Sequence, residues 1–279
     1  MTVPVLEIGG SHVTAALVDP GTGEVSHRTR HSLSKDAPAA VLLAALATAA
    51  NTLPVTADTV WGAAIPGPFD YATGVARFAN VGKFDSLNGV NVGAELRSRI
   101  TPRPLGIRFT NDATAFARGE WRWGAAKDHA RVVALTLGTG VGSAFLVNGT
   151  PVTSDPAVPP EGRADLLEIN GVPLEDVVST RAVLAAHGSC SSVAEIAQQA
   201  QSGDPVARSV LLTAYQALAE ALAPWLSRFS PTAVVIGGGV SAAWDIVTRP
   251  LHATLGPDVV LVRSDDTEAA ALRGALPQS

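Results

Sequence analysis

One carboxylate stands where the chain changes its local structure. Asp112 follows Asn111 and an apolar run over 105–109 that predicts a strand, and the Ala-rich segment after it predicts a helix. A carboxylate within hydrogen-bond reach of an alcohol orients the hydroxyl and accepts its proton. Taken alone, Asn111 or Asp112 is more often simply the N-cap of the helix. Three glycine clusters elsewhere in the chain favour the catalytic interpretation of Asp112.

Each glycine cluster directly follows an apolar, strand-like run. The clusters are Gly9-Gly10-Ser11-His12, Gly138-Thr139-Gly140-Val141-Gly142 and Gly237-Gly238-Gly239. Glycine pairs mark tight turns, which is the simpler interpretation. Residues without side chains also let backbone amides approach a phosphate, and the Ser11 hydroxyl adds a donor. Glu7 favours this second interpretation, because a carboxylate in an apolar strand needs a cation or a donor, as at a magnesium-phosphate site.

The elements around the first two clusters follow the same plan. A strand, a glycine turn, a second strand and a reverse turn occur over 3–23 and again over 132–149. A duplicated unit predicts two similar halves, which would face each other across a cleft. The periodicity predicts further helices over 38–51, 90–100, 174–187, 193–201, 206–228 and 268–276, and one that begins at Ala242.

The composition excludes several classes of protein. The 279 residues are 47% hydrophobic and 16% charged, as in a compact globular protein, and the net charge of −5 argues against nucleic acid as a partner. A single cysteine, Cys190, excludes an internal disulfide and a multi-thiolate metal site. No apolar run reaches the roughly 20 residues of a membrane helix, and no signal-peptide pattern opens the chain. We therefore predict a cytoplasmic protein without a membrane partner.

Four motifs, in this order, resemble those of the ROK family of sugar kinases, and the likeness covers most of the chain. They are Glu7-Ile8-Gly9-Gly10-Ser11, Asn111-Asp112-Ala113, Leu137-Gly138-Thr139-Gly140-Val141-Gly142 and Ile236-Gly237-Gly238-Gly239-Val240. The resemblance implies an α/β, two-domain, actin-like ATPase (ribonuclease H-like) fold with a cleft between the domains. It also implies a smaller N-terminal domain over 1–110, joined by the last helix at 265–279, and a larger C-terminal domain over 111–264.

The resemblance further implies a transferase that moves a phosphoryl group from ATP, with Mg²⁺, to a hydroxyl of a hexose or hexose-like polyol. Asp112 matches the family's general base, and Glu7 matches the magnesium carboxylate, acting through water. The implied substrate-binding residues are Asn80, Asn111, Asp112, Glu161 and Glu175. The implied nucleotide-binding residues are Gly9, Gly10, Ser11, His12, Gly138, Thr139, Gly140, Gly238 and Gly239. We expect Glu175 to lie apart from the last two glycine clusters, and a homodimer is the family expectation.

Several positions depart from the family pattern. Glu7 and Ser11 stand where the family usually has Asp and Thr. The zinc-binding Cys cluster between the two sugar-binding glutamates is missing, so we predict no structural zinc. Ala164 stands where the family has a sugar-contacting His, which weakens the case for glucose and leaves open a C7-cyclitol of an aminocyclitol pathway. A non-catalytic, sugar-sensing ROK regulator is the other alternative, against which the retained Asp112 argues.

Overall fold

The computed structural model describes residues 1–56, 58–239, 243–255 and 258–278. By its internal contacts the chain divides into two compact units, Met1–Gly119 with Glu268–Ser279, and Glu120–Thr267. Each unit has its own five-stranded sheet and its own hydrophobic core. The domain bounds expected from the sequence, 1–110 with 265–279 and 111–264, stay a prediction.

The first unit is built on a mixed sheet with the order β3-β2-β1-β4-β7. Strands β1 to β3 are antiparallel, whereas β4 runs parallel to β1 and β7 parallel to β4. The central strand β1 is almost wholly apolar, as expected of a strand covered on both faces. Strand β7 is an edge of this sheet. The bounds are β1 (Val3–Ile8), β2 (His12–Val18), β3 (Val25–Ser32), β4 (Val60–Ile65), β5 (Phe69–Asp70), β6 (Val75–Ala76) and β7 (Gly106–Asn111).

Three helices neighbour strands of this sheet along the chain, namely α1 (Ala39–Ala50) after β3, α2 (Val92–Arg99) before β7 and α3 (Asp112–Trp123) after β7. Helix α1 is rich in Ala and Leu, the strongest helix formers, and buries Leu42, Leu43 and Leu46 in the core of the first unit. Helix α2 begins after Asn91, whose side chain accepts a hydrogen bond from the Ala94 N–H at 2.8 Å. Helix α3 begins directly at the end of β7, so strand and helix together position Asp112.

The second unit repeats the plan of the first. Its sheet has the order β10-β9-β8-β13-β14, in which β8 and β9 are antiparallel and β13 and β14 are parallel to β8 and β13 respectively. An antiparallel hairpin followed by parallel strands thus occurs in both units, and the repeat predicted from the sequence is confirmed. The strands are β8 (Arg131–Leu137), β9 (Val141–Val147), β10 (Thr150–Pro151), β11 (Glu168–Ile169), β12 (Val172–Pro173), β13 (Ala233–Gly238) and β14 (Val260–Arg263).

The remaining helices are α4 (Glu175–Val178), α5 (Thr180–His187), α6 (Val193–Gln201), α7 (Pro205–Phe229), α8 (Trp244–Thr254) and α9 (Thr267–Gly274). The prediction of one helix over 174–187 is wrong. Ser179 separates α4 from α5, because its side chain caps α5 by accepting a hydrogen bond from the Ala182 N–H. Val240 of the last glycine motif and the predicted helix start at Ala242 lie outside the described residues. Within the described part of the chain, no helix is both long and apolar enough to cross a membrane.

Candidate active site

Asp112 is the first residue of α3, directly after the end of β7, and Asn111 is the residue that caps the helix. The Asn111 Oδ1 atom accepts a hydrogen bond from the Thr114 N–H at 3.1 Å. The Nδ2 atom donates to Asp112 Oδ1 at 3.0 Å and to the Tyr71 hydroxyl at 3.2 Å. Asp112 Oδ1 also accepts from the Ala113 N–H at 2.9 Å. From the sequence, either Asn111 or Asp112 could be the N-cap. In the structure the cap is Asn111, so the Asp112 carboxylate is available for another role.

The electrostatic surroundings of Asp112 suit a proton acceptor. Burial raises the pKa of its carboxyl above the usual range, the positive charge of Lys83 opposes this, and the negative charge of Glu7 adds to it. A carboxylate whose pKa is raised toward the working pH is a stronger base than an ordinary one. The sequence pattern does not single out Lys83 from the other polar residues of its loop, and only folding brings its charge near Asp112.

The hairpin tip between β1 and β2 carries the first glycine cluster. The Gly9 N–H donates to the His12 carbonyl at 2.9 Å, which closes the turn. A Cβ atom placed on Gly10 would meet no atom of the described residues within 4 Å, and Ser11 is exposed. The backbone of this tip is therefore accessible, as a phosphate-binding loop requires.

The His12 side chain lies between two carboxylates of the first unit. Its Nε2 atom is 3.1 Å from Glu7 Oε2 and 3.4 Å from Glu268 Oε1. The neighbouring carboxylates of Glu268 and Glu7 raise the pKa of His12 to about 9, so the imidazole is protonated at neutral pH. No local sequence pattern connects Glu268 with this turn, because Glu268 lies at the other end of the chain, in α9.

Glu268 is the centre of an ion-pair cluster. Besides pairing with His12, it accepts hydrogen bonds from Thr14 Oγ1 at 2.5 Å and from Arg28 Nε at 2.7 Å, and Arg30 Nη1 lies at 3.1 Å. Burial opposes the ionisation of Glu268, but the hydrogen bonds from these donors outweigh it and lower its pKa to about 2. The cluster ties α9 to β2 and β3, the strands next to the first glycine turn.

A cation could be held by part of the same cluster. Glu7, His12 and Glu268 each place one ligand atom within 4.8 Å of the others. Mg²⁺ takes carboxylate oxygens and water, and a protonated imidazole is not a ligand. Glu7 Oε2 is enclosed and makes no hydrogen bond of good geometry within the described residues, despite the nearby His12 charge. The Glu7 carboxylate thus fits a magnesium role, which stays a prediction, whereas protonated His12 does not fit as a metal ligand.

In the second unit, the glycine cluster after β8 is held by its own backbone and by the helices that follow. The Gly138 N–H donates to the Gly140 carbonyl at 3.0 Å, and the Gly138 carbonyl accepts from the Thr180 N–H at 2.8 Å. Glu175 Oε2 accepts from the Val141 N–H at 3.4 Å. A Cβ atom on Gly140 would lie 2.9 Å from that same carboxylate oxygen. The expectation that Glu175 lies apart from this glycine cluster is therefore wrong.

The third glycine cluster ends β13, beside the end of β8. Gly238 pairs with Leu137 in parallel register, has a φ of +97°, and could not carry a Cβ atom, which would lie 2.2 Å from the Leu137 carbonyl oxygen. The Gly238 N–H donates to Thr267 Oγ1 at 2.9 Å. Gly239 and Gly138 line one cavity. The two glycine clusters of the second unit are thus neighbours, and each supplies backbone to the same place.

The buried Ser143 holds the backbone of the segment that contains Glu161, the first of the predicted sugar-binding glutamates. Ser143 Oγ, on β9, donates to the Gly162 carbonyl at 2.8 Å and accepts from the Ala164 N–H at 2.7 Å. Glu161 itself is 72% exposed, with Arg163 Nη1 at 3.4 Å. Ala164 is fully buried, so its position has no space for the larger imidazole of the family. The sequence feature that could have indicated a structural role for Ser143 is its position as a polar residue within an apolar strand.

Two other predicted residues present their side chains at the surface. Asn80 is exposed in a turn with a φ of +58°, and it makes no hydrogen bond within the described residues. Thr139 is exposed at the tip of the second glycine cluster. Their exposure fits binding groups but does not distinguish them from ordinary loop residues.

A protein-family model described as the ROK family matches residues 4–161 and 170–273. The chain belongs to the ROK family. Among its curated relatives is a glucokinase from Thermotoga maritima, 27% identical over 273 residues that cover 88% of this chain and 84% of the relative.

Solved structures of the ROK family share the fold. A ROK family glucokinase from Streptomyces griseus, in complex with glucose and AMPPNP, is 22% identical, with a TM-score of 0.78 and coverage of 99% of this chain and 98% of that one. A ROK family transcriptional regulator, a homologue of the E. coli MLC protein, is 21% identical, with a TM-score of 0.75 and coverage of 98% and 76%. The predicted actin-like α/β fold of this ROK chain is confirmed.

Proposed function

We propose that this ROK chain is a kinase that transfers the γ-phosphoryl group of ATP to a hydroxyl of a hexose or hexose-like polyol, with Asp112 as the general base. The observation that carries the proposal is the state of Asp112, whose pKa is raised by burial while Asn111 supplies the helix cap. The glucokinase of Thermotoga maritima supports a sugar as acceptor. The AMPPNP bound to the Streptomyces griseus glucokinase supports ATP as donor.

Each of the proposed site residues has a defined role in the transfer of the phosphoryl group. Asp112 accepts the proton of the substrate hydroxyl as that oxygen bonds to the γ-phosphorus, and the bond from this phosphorus to the bridging oxygen of ADP breaks. Asn111 Nδ2 donates to Asp112 Oδ1 and so orients the carboxylate. Backbone amides at Gly10 and Gly140 are proposed to hold phosphate oxygens. Magnesium, bound through Glu7 and water, would neutralise phosphate charge.

The acceptor is proposed to differ from glucose on one side. Ala164 is fully buried and has no side-chain donor, so the hydroxyl that the family His would bind has no partner there. A site that lacks the partner of a hydroxyl does not select for it. A C7-cyclitol would keep the hydroxyls proposed to contact Asn80, Asn111, Glu161 and Glu175 and is the second candidate that this observation favours.

A coupled nucleotide-release assay tests the proposal. Purified protein, Mg²⁺ and ATP are incubated with a panel of hexoses, amino sugars and cyclitols, and the release of ADP is followed. We expect turnover with a polyol other than glucose. If glucose is the best acceptor, the inference from Ala164 is wrong. If a sugar binds but none is phosphorylated, the chain is a sugar-sensing regulator rather than a kinase; one structural relative, of MLC type, is a transcriptional regulator.

The change Glu175→Gln should lower the affinity for the polyol and leave the affinity for the nucleotide unchanged. Loss of one charged hydrogen bond to the polyol costs about 1–3 kcal/mol, so Kd for the polyol should rise roughly 5- to 150-fold. The Gln carbonyl can still accept from the Val141 N–H, so the backbone of the glycine cluster is kept. Nucleotide affinity should not fall, because a negative charge is removed beside that cluster.

Calorimetric titration with each ligand measures both effects. Glu220→Gln, at an exposed position on α7, is the matched control and should leave both affinities unchanged. A drop in nucleotide affinity as large as the drop in polyol affinity would place Glu175 in the nucleotide site instead.

We also expect the protein to fold without zinc. Zinc sites of structural type need several thiolate or imidazole ligands, and Cys190 is the single cysteine of the chain. Elemental analysis of the purified protein should find far less than one zinc per chain, and a zinc chelator should leave Tm unchanged. Stoichiometric zinc, or a fall of Tm on chelation, would contradict this.

A further inference from the structure

An arginine of α3 is half-buried and has no acidic partner among the residues that the structure describes. Arg118 lies on the same helix as Asp112, and its Nη1 atom donates to Thr110 Oγ1 at 3.4 Å. The Nε atom is buried and has no hydrogen-bond partner, and within the described residues no carboxylate forms an ion pair with this guanidinium. Burial lowers the pKa of Arg118, although the group stays charged. A partly desolvated charge without an acidic partner is costly, and a bound anion would offset that cost.

Arg118 faces a cavity of about 260 Å³ in the first unit. Arg108 and Thr110, alternate residues of the edge strand β7, line it together with Arg118. The chain after α9 closes the other side through residues 275–278. That segment is held firmly, because it lies against Gly62 of β4, where an added Cβ atom would be 1.9 Å from the Ala275 carbonyl oxygen.

The lining of this cavity is basic. Among the residues that the structure describes, its members are Arg108, Phe109, Thr110, Arg118, Ala275, Leu276, Pro277 and Gln278, and none of these side chains is acidic. Arg108 is exposed and, within the described residues, also makes no ion pair with a carboxylate. Two guanidinium groups match the charge of a phosphate dianion, and their planar forks suit its oxygens. The volume is below the range of about 300–1,000 Å³ for drug-sized ligands, which favours a small anion over a nucleotide.

We propose that the cavity between β7, α3 and residues 275–278 binds a phosphate group, free or carried by a small phosphomonoester, through Arg108 and Arg118. None of its lining residues belongs to the glycine clusters, so the site is separate from the proposed nucleotide site. The phosphate would join the end of β7 to α3 on either side of Asn111 and Asp112. The proposal does not depend on the proposed kinase activity.

Thermal unfolding with inorganic phosphate tests the proposal. Saturating AMPPNP is present throughout, so that phosphate does not act through the nucleotide site, and glucose 6-phosphate forms a second arm. We expect Tm of the wild type to rise by about 3 °C or more at ten times the Kd. The rise should be lost in Arg118→Gln and reduced in Arg108→Gln. The arm with the larger rise identifies free phosphate or a phosphomonoester as the preferred form.

Arg103→Gln is the matched control, because it removes the same charge from an exposed position of the same unit. It should keep the full response to phosphate. An equal rise in all four proteins, or no rise in the wild type with either ligand, would overturn the proposal. If Arg118→Gln does not fold, the exposed Arg108 still decides the question through the comparison of Arg108→Gln with Arg103→Gln.

Discussion

Asp112→Asn should lower kcat by about 10²- to 10⁴-fold, while the polyol and the nucleotide bind almost as tightly as before. The amide keeps the shape of the carboxylate and can still accept from the Ala113 N–H, but it cannot take a proton. Steady-state kinetics in the nucleotide-release assay, with binding measured separately by calorimetry, give both quantities. Retention of more than a few per cent of the wild-type kcat would rule out Asp112 as the general base.

The stability of Asp112→Asn distinguishes a catalytic role of Asp112 from a structural role as a helix cap. Because burial raises the pKa of Asp112, the folded protein holds its proton more tightly than the unfolded chain does. The ionised carboxylate therefore reduces the free energy of unfolding at pH values above the folded pKa. This penalty shrinks as pH falls below the folded pKa and is gone below the unfolded pKa. Asp112→Asn should have an equal or higher Tm than the wild type at pH 7, whereas loss of a helix cap would lower it.

The raised pKa of Asp112 should also appear in the pH dependence of activity. Only ionised Asp112 accepts a proton, so kcat/KM should fall as pH is lowered through a pKa above the ordinary value for Asp. The positive charge of Lys83 lowers that pKa. Lys83→Met should accordingly move the acid limb of the pH profile to higher pH, and a limb that stays in place would show that another group is responsible.

Gly238→Ala should strongly destabilise the protein. The new Cβ atom would lie 2.2 Å from the Leu137 carbonyl oxygen, and the φ of +97° disfavours any side chain. Overpacking and backbone strain each cost about 1–3 kcal/mol, so the free energy of unfolding should fall by roughly 2–6 kcal/mol. Denaturant unfolding measures this loss, and nucleotide titration of the folded fraction should show weaker binding.

Gly203→Ala is a close control for that change. Gly203, between α6 and α7, has the same φ of +97°, but a Cβ atom there would meet nothing within 4 Å in the described residues. It should lose only the strain part of the stability and should bind nucleotide normally. Equal losses in the two variants would show that the approach of Gly238 to Leu137 is not what requires glycine.

Much of the architecture follows from local sequence patterns. The apolar runs before Gly9 and Gly138 predict strands, and the glycines predict the turns, because each depends on neighbours along the chain. The repeated plan predicts two similar units for the same reason. The exposed or accessible tips at Gly10 and Thr139 also agree with the pattern, since a run of residues without bulky side chains leaves backbone within reach of a ligand.

Tertiary structure decided which side chains meet. His12 is protonated because Glu268, at the far end of the chain, folds beside it, and Glu175 lies on the Val141 amide because α4 packs next to that turn. Neither contact has a local signature. The choice between Asn111 and Asp112 as the cap was likewise open, since either side chain has the chemistry of a cap. Side-chain direction at the start of α3 settled it, and that direction depends on packing rather than on residue type.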